Sequence, residues 1–228
     1  MELRAALRTT GAVREFDGSP VDRATVYELL ETARFAPSGG NRQGWRVVLV
    51  EDAAKKRALR DLYLPGWYEY LACARAGLVP FAPVTDREAE AAAMGTVPAI
   101  EAAARESAGF AEHLDEVPVL LVLLVDLREV AAIDRDEEGY TFVGGASVYP
   151  FAWSILLAAH DVGLGGVLTT MVRRRHREVR ALLGADEHLA VAGVLALGRP
   201  VARATKLRRQ AVESFTTLDT VGGTPLTR

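Results

Sequence analysis

Three separated segments of the sequence carry arginine, and in the first two it stands among small or hydroxyl-bearing residues. They read RTTGAVREF (8–16), APSGGNRQGW (36–45) and KLRRQ (206–210). The planar guanidinium group of arginine binds phosphate through paired hydrogen bonds, and glycine lets a backbone approach a ligand closely. Each segment alone is common on protein surfaces. Their joint occurrence in this order is the informative feature, and it suits a ligand that carries phosphate.

Few residues have the spacing of metal ligands, nucleophiles or acid–base pairs. None of the four histidines lies at metal-ligand spacing from a cysteine or another histidine: His113, His160, His176 and His188. With one cysteine and no HExxH or CxxC motif, no metal site is predicted. No GxSxG or Walker motif is present, and GLGG (163–166) lacks the spacing and the preceding strand of a dinucleotide fingerprint. If the protein is an enzyme, we expect a bound cofactor to carry the difficult chemistry.

Composition and charge indicate one soluble domain. The chain has 228 residues, 50% hydrophobic and 25% charged, which is enough for a full core in a single domain spanning 1–228. The net charge of −3 gives no general attraction to nucleic acid, and the basic run Arg173–Arg180 is predicted to be the solvated face of a helix. A lone Cys73, a charged N-terminus and the lack of about 20 consecutive apolar residues predict a cytoplasmic protein without a membrane anchor.

Hydrophobic periodicity predicts strands and helices in alternation, which is typical of a sheet covered by helices. Asp22 is a candidate N-cap for a helix that ends before Pro37, because the residue before proline is pushed out of the helical region. Three apolar runs are predicted to be buried strands: Trp45–Glu51, Pro118–Asp126 and Ala190–Gly198. A helix at about 150–162 is apolar on nearly every side, so it is either the central core helix or part of an oligomer interface.

Two regions lie outside this pattern. Residues 60–112 separate the first two strands by far more than a tight connection, and they include several aromatic residues: Trp67, Tyr68, Tyr70, Phe81 and Phe110. Long excursions of this kind are often lids or channel walls, and extra surface helices are an equally good interpretation. Residues 205–228 are assigned to a C-terminal extension.

The order of these motifs resembles the flavin-dependent nitroreductase family over nearly the whole chain. VREF (13–16) and SPV (19–21) precede the first of the predicted helices, and APSGGNRQGW leads into the strand RVVLV. GGASVYPFAWSILLAAHDVGLGGVLTT (144–170) is similar to the central helix of the family, and LGRP (197–200) and LRRQAVESF (207–215) are similar to its closing segment. The resemblance implies an α+β fold with a central, mostly antiparallel sheet flanked by helices, in an intertwined homodimer with two FMN sites at the subunit interface.

The resemblance also implies roles for individual residues. Arg14 matches a phosphate-binding arginine, and Arg208 or Arg209 covers the position of a second one near the C-terminus. The residues that match the loop touching the flavin and its ribityl chain, commonly across the interface, are Pro37, Ser38, Gly39 and Asn41. Those that match the segment facing the flavin ring, with backbone donors near N5, are Leu168, Thr169 and Thr170. No residue is assigned as a catalytic acid or base.

The first phosphate-binding segment departs from the family pattern. The paired arginines and the serine of the family fall on Thr10, Gly11 and Ala12, so an arginine charge and a hydroxyl group are missing there. Thr10 is a candidate source of a hydroxyl, and Arg8, one helical turn before Ala12, is a candidate second cation. Gly44 also replaces the proline that the family places before the strand.

The activity implied by the resemblance is a ping-pong reaction. NADH or NADPH delivers a hydride to flavin N5, and a nitroaromatic, a quinone or a similar conjugated molecule then takes up the electrons. Two alternatives stay open. One is specialised flavin chemistry, such as dehalogenation, biosynthetic oxidation or flavin fragmentation. The other is a dimer that binds flavin or senses a ligand without turnover, which the altered segment at 10–12 motivates.

Overall fold

The computed structural model describes residues 2–106, 109–139, 141–203 and 206–228. Its helices and strands follow in the order α1 (Leu3–Thr9), α2 (Arg23–Ala33), β1 (Trp45–Val50), α3 (Ala53–Arg75), α4 (Arg87–Met94), α5 (Val97–Glu106), β2 (Val119–Asp126), α6 (Tyr149–Asp161), β3 (Gly165–Thr169), α7 (His176–Leu183) and β4 (Leu189–Gly198). Positions 107 and 108 of the predicted excursion and position 205 of the predicted extension lie outside the described residues.

The four strands form one sheet in the order β1-β2-β4-β3, and every neighbouring pair is antiparallel. The α+β fold with a mostly antiparallel sheet, predicted from the sequence, is confirmed. The three predicted strands coincide with β1, β2 and β4 to within one residue at each end. β3 has no counterpart among them.

Alternate residues of β2 pack on opposite faces of the sheet, because successive side chains of a strand alternate in direction. Leu121 and Leu123 contribute to a core shared with α2 and α6. Leu120 and Val122 contribute to a second core, shared with α3 and α7. All eight residues of β2 are buried. Coverage on both faces explains why this strand is apolar at every position but the last.

Specific contacts fix α2 and β1 where the sequence predicts them. The Asp22 carboxylate accepts a hydrogen bond from the Thr25 backbone N–H at 2.6 Å, so Asp22 is the N-cap of α2. The helix ends before Pro37, as predicted. At the start of β1, the Trp45 ring stacks on Phe151 of α6 with ring centroids 4.6 Å apart and planes inclined by 3°. This stacking joins the first strand to the central helix.

β3 is short and begins with two glycines. A Cβ atom at Gly166 would collide with the Leu197 side chain and with the Ala196 carbonyl oxygen of β4. Glycine is therefore required at this position for β3 to approach its neighbour closely. A five-residue strand that opens with Gly165 and Gly166 has little hydrophobic periodicity, which explains why the sequence pattern does not reveal it.

The central helix α6 is not buried on every side within this chain. Phe151 and Ile155 are buried against the sheet. Tyr149 and Trp153, one helical turn apart, keep 43% and 39% of their surface exposed. The chain alone therefore leaves an aromatic stripe uncovered on a helix whose composition calls for complete burial.

The predicted excursion at 60–112 begins inside α3, a helix of 23 residues. Leu59 and Tyr63 of this helix are fully buried under the sheet. Tyr68 and Ala72, on another side of α3, pack against Ile100 of α5 in a separate cluster. The first part of the segment is thus a core helix of the domain, and α4 and α5 are added to its outer side.

Candidate functional site

β3 is an edge strand whose outer side is partly covered by the N-terminal segment. The Val13 N–H donates to the Gly166 carbonyl oxygen at 2.9 Å, and Ala12 pairs with Gly166 in a parallel bridge. The peptide groups of a strand point alternately to its two sides, so the Leu168 N–H and C=O face the same outer side as the Gly166 carbonyl. Among the described residues, none hydrogen-bonds to Leu168 from that side. A backbone donor and acceptor are therefore free there, next to the segment that leads to Arg14.

Arg14, Thr169 and Tyr63 come together at this edge. Arg14 is exposed and forms no ion pair within the described ranges. The Tyr63 hydroxyl oxygen lies 3.1 Å from Thr169 Oγ1. Burial raises the pKa of Tyr63, while the hydrogen bond with Thr169 and the positive charge of Arg14 oppose that rise. A cation, a pair of hydroxyl groups and the free Leu168 backbone thus form one cluster.

An aromatic face of α3 borders this cluster. Tyr63, Trp67 and Tyr70 follow one another at helical spacing, and their ring centroids are 6.3 Å apart for the first pair and 5.3 Å for the second. α3 also approaches the turn after β3 closely, since a Cβ atom at Gly66 would lie 3.2 Å from the Met171 carbonyl oxygen. The three rings therefore form an aromatic wall that starts at the end of β3.

The start of the arginine-bearing segment is held by α1 and α6. Thr9 Oγ1 donates to the Ala5 carbonyl oxygen at 2.8 Å and lies 2.8 Å from His160 Nε2. Because the single hydroxyl proton of Thr9 is already used, Nε2 carries a proton and donates to Thr9. The Thr10 hydroxyl donates to the Ala6 carbonyl oxygen at 2.8 Å, and Thr10 is buried. A contact between the Thr10 hydroxyl proton and a phosphate would require that bond to break.

The loop APSGGNRQGW lies at the other end of α6. The Gly39 N–H donates to Ser147 Oγ at 3.0 Å, two residues before α6 begins. Within the loop, Ser38 Oγ accepts a hydrogen bond from the Gln43 backbone N–H at 3.0 Å. Asn41 and Gln43 have left-handed φ angles of 53° and 52°, a conformation that is costly for residues with a Cβ atom. The loop is therefore held in a defined, strained shape.

Within one chain the loop and the Arg14 cluster are kept apart. The loop precedes β1 and Thr169 ends β3, and these strands are the opposite edges of the sheet, about 14 Å apart at three strand spacings. Their anchors on α6 are distant too, because the helix rises about 17 Å between Tyr149 and His160. One subunit therefore presents two separate groups of the residues for which the sequence predicts a common site.

The predicted site residues lie in separate parts of the structure. Arg14, Leu168 and Thr169 are brought together at the β3 edge, and Thr170 is exposed directly after it. The loop residues are grouped apart: Pro37, Ser38, Gly39 and Asn41. Three further residues have no hydrogen bond or ion pair to either group in the described part of the chain: Arg8, which is exposed on α1, and Arg208 and Arg209, which are exposed in the C-terminal segment. Thr10 lies beneath the segment that precedes Arg14.

Three residues with a structural part in the site are absent from the predicted set: Tyr63, Ser147 and His160. Aromatic residues spaced at i, i+4 and i+7 along α3 are a signal that could have identified Tyr63. His160 is visible in the sequence as the end of an apolar helix, but its contact with Thr9 spans 151 positions. Nothing in the sequence marks the Ser147 hydroxyl as the partner of a loop 108 positions away.

No cluster of three or more histidine, cysteine or carboxylate side chains suited to a metal ion is found in the described ranges. No helix in the same ranges is both long enough and apolar enough to cross a membrane.

Comparison with known proteins identifies the class of this fold. It resembles a BluB-like flavoprotein from Clostridium difficile, with a TM-score of 0.68, 19% identity and coverage of 96% of this chain and 100% of that one. It also resembles iodotyrosine deiodinase bound to FMN and 3-iodo-L-tyrosine, with a TM-score of 0.62, 23% identity and coverage of 97% and 100%. In sequence it is 28% identical over 227 residues to a protein named NADH dehydrogenase from Thermus thermophilus, covering 88% of this chain and 87% of the relative.

The chain thus shares its α+β fold with these two solved structures. Residues 7–199 match the pattern described as the nitroreductase family, which is most of the chain. The chain belongs to the nitroreductase family. The family membership and the oxidoreductase class predicted from the sequence are confirmed.

The burial of His160 predicts a pH-dependent contribution to stability. Burial, and then the charge of Arg203, lowers the pKa of His160 in the folded protein, and Asp161 partly opposes this. The unfolded chain therefore takes up a proton on His160 more readily than the folded one. The contribution of neutral His160 to the free energy of unfolding is complete above about pH 6.5, the usual pKa of histidine. It falls as the pH drops from there towards the lowered pKa of the folded protein.

A His160→Gln variant keeps an N–H donor for Thr9 but does not titrate. We expect its free energy of unfolding, measured by urea denaturation across about pH 5 to 8, to decline less below pH 6.5 than that of the wild type. The same substitution at the exposed His113, whose ring lies 3.0 Å from the Glu116 carboxylate, serves as the comparison. Parallel profiles for His160→Gln and the wild type would contradict this prediction.

Proposed function

We propose that the protein holds FMN along the open edge of β3 and is an NAD(P)H-dependent oxidoreductase. The observation that carries the proposal is the Leu168 backbone beside Arg14, because within the described ranges the outer side of Leu168 has no hydrogen-bond partner and Arg14 has no ion-pair partner. The edge fits this cofactor: a flavin ring offers hydrogen-bond acceptors and a donor to a strand edge, and its phosphate calls for an arginine. Gly11 and Ala12 bring no side-chain donor, so Arg14 is the main phosphate ligand of this segment.

The contributions of the chain itself are positioning and electrostatics. The bound flavin would supply hydride transfer between NADH or NADPH and an oxidised substrate. Leu168 holds the ring edge through its backbone, Arg14 binds the phosphate, and the wall of Tyr63, Trp67 and Tyr70 excludes water from one side. Preorganised donors of this kind need no rearrangement during the reaction. We assign no side chain as an acid or a base.

Flat, conjugated molecules are the substrates that suit the site. Within the aromatic wall, the half-buried rings of Trp67 and Tyr70 offer faces on which a nitroaromatic or a quinone can stack. The name of the Thermus thermophilus relative, NADH dehydrogenase, favours a nicotinamide donor for this chain as well. The lone cysteine, Cys73, is buried and unpaired, which suits the reducing cytoplasm that we infer as its location.

We further propose a homodimer with two shared sites. The loop at Ser38–Asn41 and the Arg14 cluster lie at opposite edges of one subunit, so neither edge alone surrounds a flavin. A two-fold axis that pairs two α6 helices side by side in opposite directions would place the loop of one subunit next to the β3 edge of the other. The same pairing would cover the exposed rings of Tyr149 and Trp153.

A dimer that binds flavin without turnover is the second candidate function. It is favoured by Gly11 and Ala12, which lack side-chain donors, and by the engagement of the Thr10 hydroxyl with Ala6. A charge-assisted hydrogen bond contributes about 1.5–3 kcal/mol. The loss of one or two such contacts weakens FMN binding by roughly tenfold to several hundredfold or more.

The proposed activity can be followed by eye and by absorbance. Protein saturated with FMN and then desalted should be yellow, should lose its flavin colour on anaerobic addition of NADH or NADPH, and should regain it with a nitroaromatic or a quinone. Free FMN at the same concentration is the control. A colourless protein that takes up no FMN would exclude both candidate functions. A yellow protein that reacts with neither NADH nor NADPH would favour the dimer that binds flavin without turnover.

Replacing Arg14 with alanine tests the phosphate contact. We expect Arg14→Ala to raise the dissociation constant for FMN by roughly tenfold to a hundredfold, the effect of losing one charged hydrogen-bonding group. Arg57→Ala removes the same charge from the exposed surface of α3 and should bind FMN like the wild type. Equal FMN affinities of both variants, measured by fluorescence titration, would show that the phosphate lies elsewhere.

Subunit mixing tests whether two chains share each site. One variant carries Arg14→Ala and the other combines Ser38→Ala with Asn41→Ala, so each homodimer should bind FMN weakly at both sites. A heterodimer of the two contains one intact site and one doubly altered site. We therefore expect mixing under exchange conditions to restore tight binding of one FMN per dimer. If mixing restores no tight binding, either the loop and Arg14 belong to separate sites, or each site is built from the loop and Arg14 of one subunit.

A further inference from the structure

We propose that Tyr63 is a positioning residue for the β3 edge. In this proposal its buried hydroxyl donates to Thr169, and the Thr169 hydroxyl is thereby left to donate to the ligand bound along that edge. The inference rests on the proposed function, since the ligand in question is the flavin. It assigns a role to a residue of α3 that has no counterpart among the predicted site residues.

Among the described residues, the contact between the Tyr63 and Thr169 hydroxyl groups involves no third partner, so its effect can be tested by itself. Tyr63 is 2% exposed, and Thr169 Oγ1 is the single hydrogen-bond partner of its hydroxyl in the described ranges. Thr169 is half-buried and has no second hydrogen-bond partner for its side chain in the same ranges. One hydroxyl is therefore confined to the core and the other remains accessible at the strand edge.

The pair of hydroxyl groups has two arrangements. If Thr169 donates, the Tyr63 proton has no acceptor among the described residues, which is unfavourable for a buried donor. If Tyr63 donates, its proton is satisfied and the Thr169 proton becomes available to a ligand. The carbonyl oxygens and unprotonated ring nitrogens of a flavin are acceptors, so a flavin beside β3 stabilises the second arrangement.

Burial, more than any nearby charge, keeps the Tyr63 phenol protonated and able to donate. Burial raises the pKa of its phenol, and Glu112 and Tyr70 act in the same direction. The Thr169 contact and Arg14 act against them. The net shift is upward from an ordinary value near 10, so the phenol is neutral throughout the physiological range. Tyr63 therefore acts by orienting a proton and does not release one.

Tyr63→Phe removes the hydroxyl and keeps the ring. We expect FMN to bind about fivefold more weakly, which is the effect of one neutral hydrogen bond, and the flavin visible band and midpoint potential to shift from the wild-type values. Tyr68→Phe is the matched control. Tyr68 is a buried tyrosine of the same helix, but it interacts with Glu112 and packs against α5, so its loss should leave FMN affinity, band and potential unchanged.

A double-mutant cycle shows whether Tyr63 acts through Thr169. In a Thr169→Val background, Tyr63→Phe should have no further effect on FMN affinity or potential. In a Thr169→Ser background, which keeps a hydroxyl, the effect of Tyr63→Phe should persist. Circular dichroism and thermal melting of each variant confirm that the fold is retained, and the serine background remains informative if the valine variant does not fold.

The outcomes separate this inference from the proposed function. If the wild type binds FMN but Tyr63→Phe behaves like Tyr68→Phe, the positioning role is wrong and the proposed function stands. An effect of Tyr63→Phe that is undiminished in the Thr169→Val background would also overturn it, because Tyr63 would then act by another route. A wild-type protein that does not bind FMN would overturn the proposed function and this inference with it.

Discussion

The coverage of the central strands on both faces is the constraint on which the rest of the structure depends. Leu120, Leu121, Leu195 and Leu197 of β2 and β4 have no exposed surface. Each large apolar side chain buried in this way contributes about 1.5–3 kcal/mol. The two helical layers that provide this burial also close both faces of the sheet to any ligand. A planar molecule that hydrogen-bonds to the backbone of the sheet can therefore bind only at one of its edges.

The β3 edge differs from the rest of the sheet because it is partly closed by another segment of the chain. The Val13 N–H bonds to the Gly166 carbonyl oxygen, and none of the described residues hydrogen-bonds to Leu168 on the same side of the strand. The same contact determines where Arg14, the next residue, is placed. Gly166 has no side chain because β4 is too close, and the carbonyl oxygen of the same residue accepts the Val13 hydrogen bond next to Arg14. The position of the candidate site thus depends on where the N-terminal segment pairs with β3.

The features read correctly from the sequence are those with a local physical cause. An N-cap at Asp22, a proline at Pro37 and long apolar runs determine α2, β1, β2 and β4 without reference to distant residues. β3 could not be predicted in this way, because two glycines remove its periodicity and its pairing depends on β4. In the sequence, Tyr63 cannot be distinguished from other aromatic residues of the core. Its contact with Thr169, 106 positions away, is visible only in the structure. Contacts between distant segments are set by the fold, and one sequence does not contain them explicitly.

The exposed stripe on α6 bears on how two subunits would meet. Tyr149, Trp153 and the half-buried Leu157 follow at intervals of four residues, so the stripe continues from one half of the helix into the other. Helices that cross at a single point need apolar residues only near that point. An antiparallel pair needs them along its length, with large residues of one half opposite smaller residues of the other. The stripe has this character, since its two aromatic rings lie in the first half and a leucine lies in the second. An antiparallel pair that covered this stripe would match the homodimer that we propose, in which the loop of one subunit lies at the β3 edge of its partner.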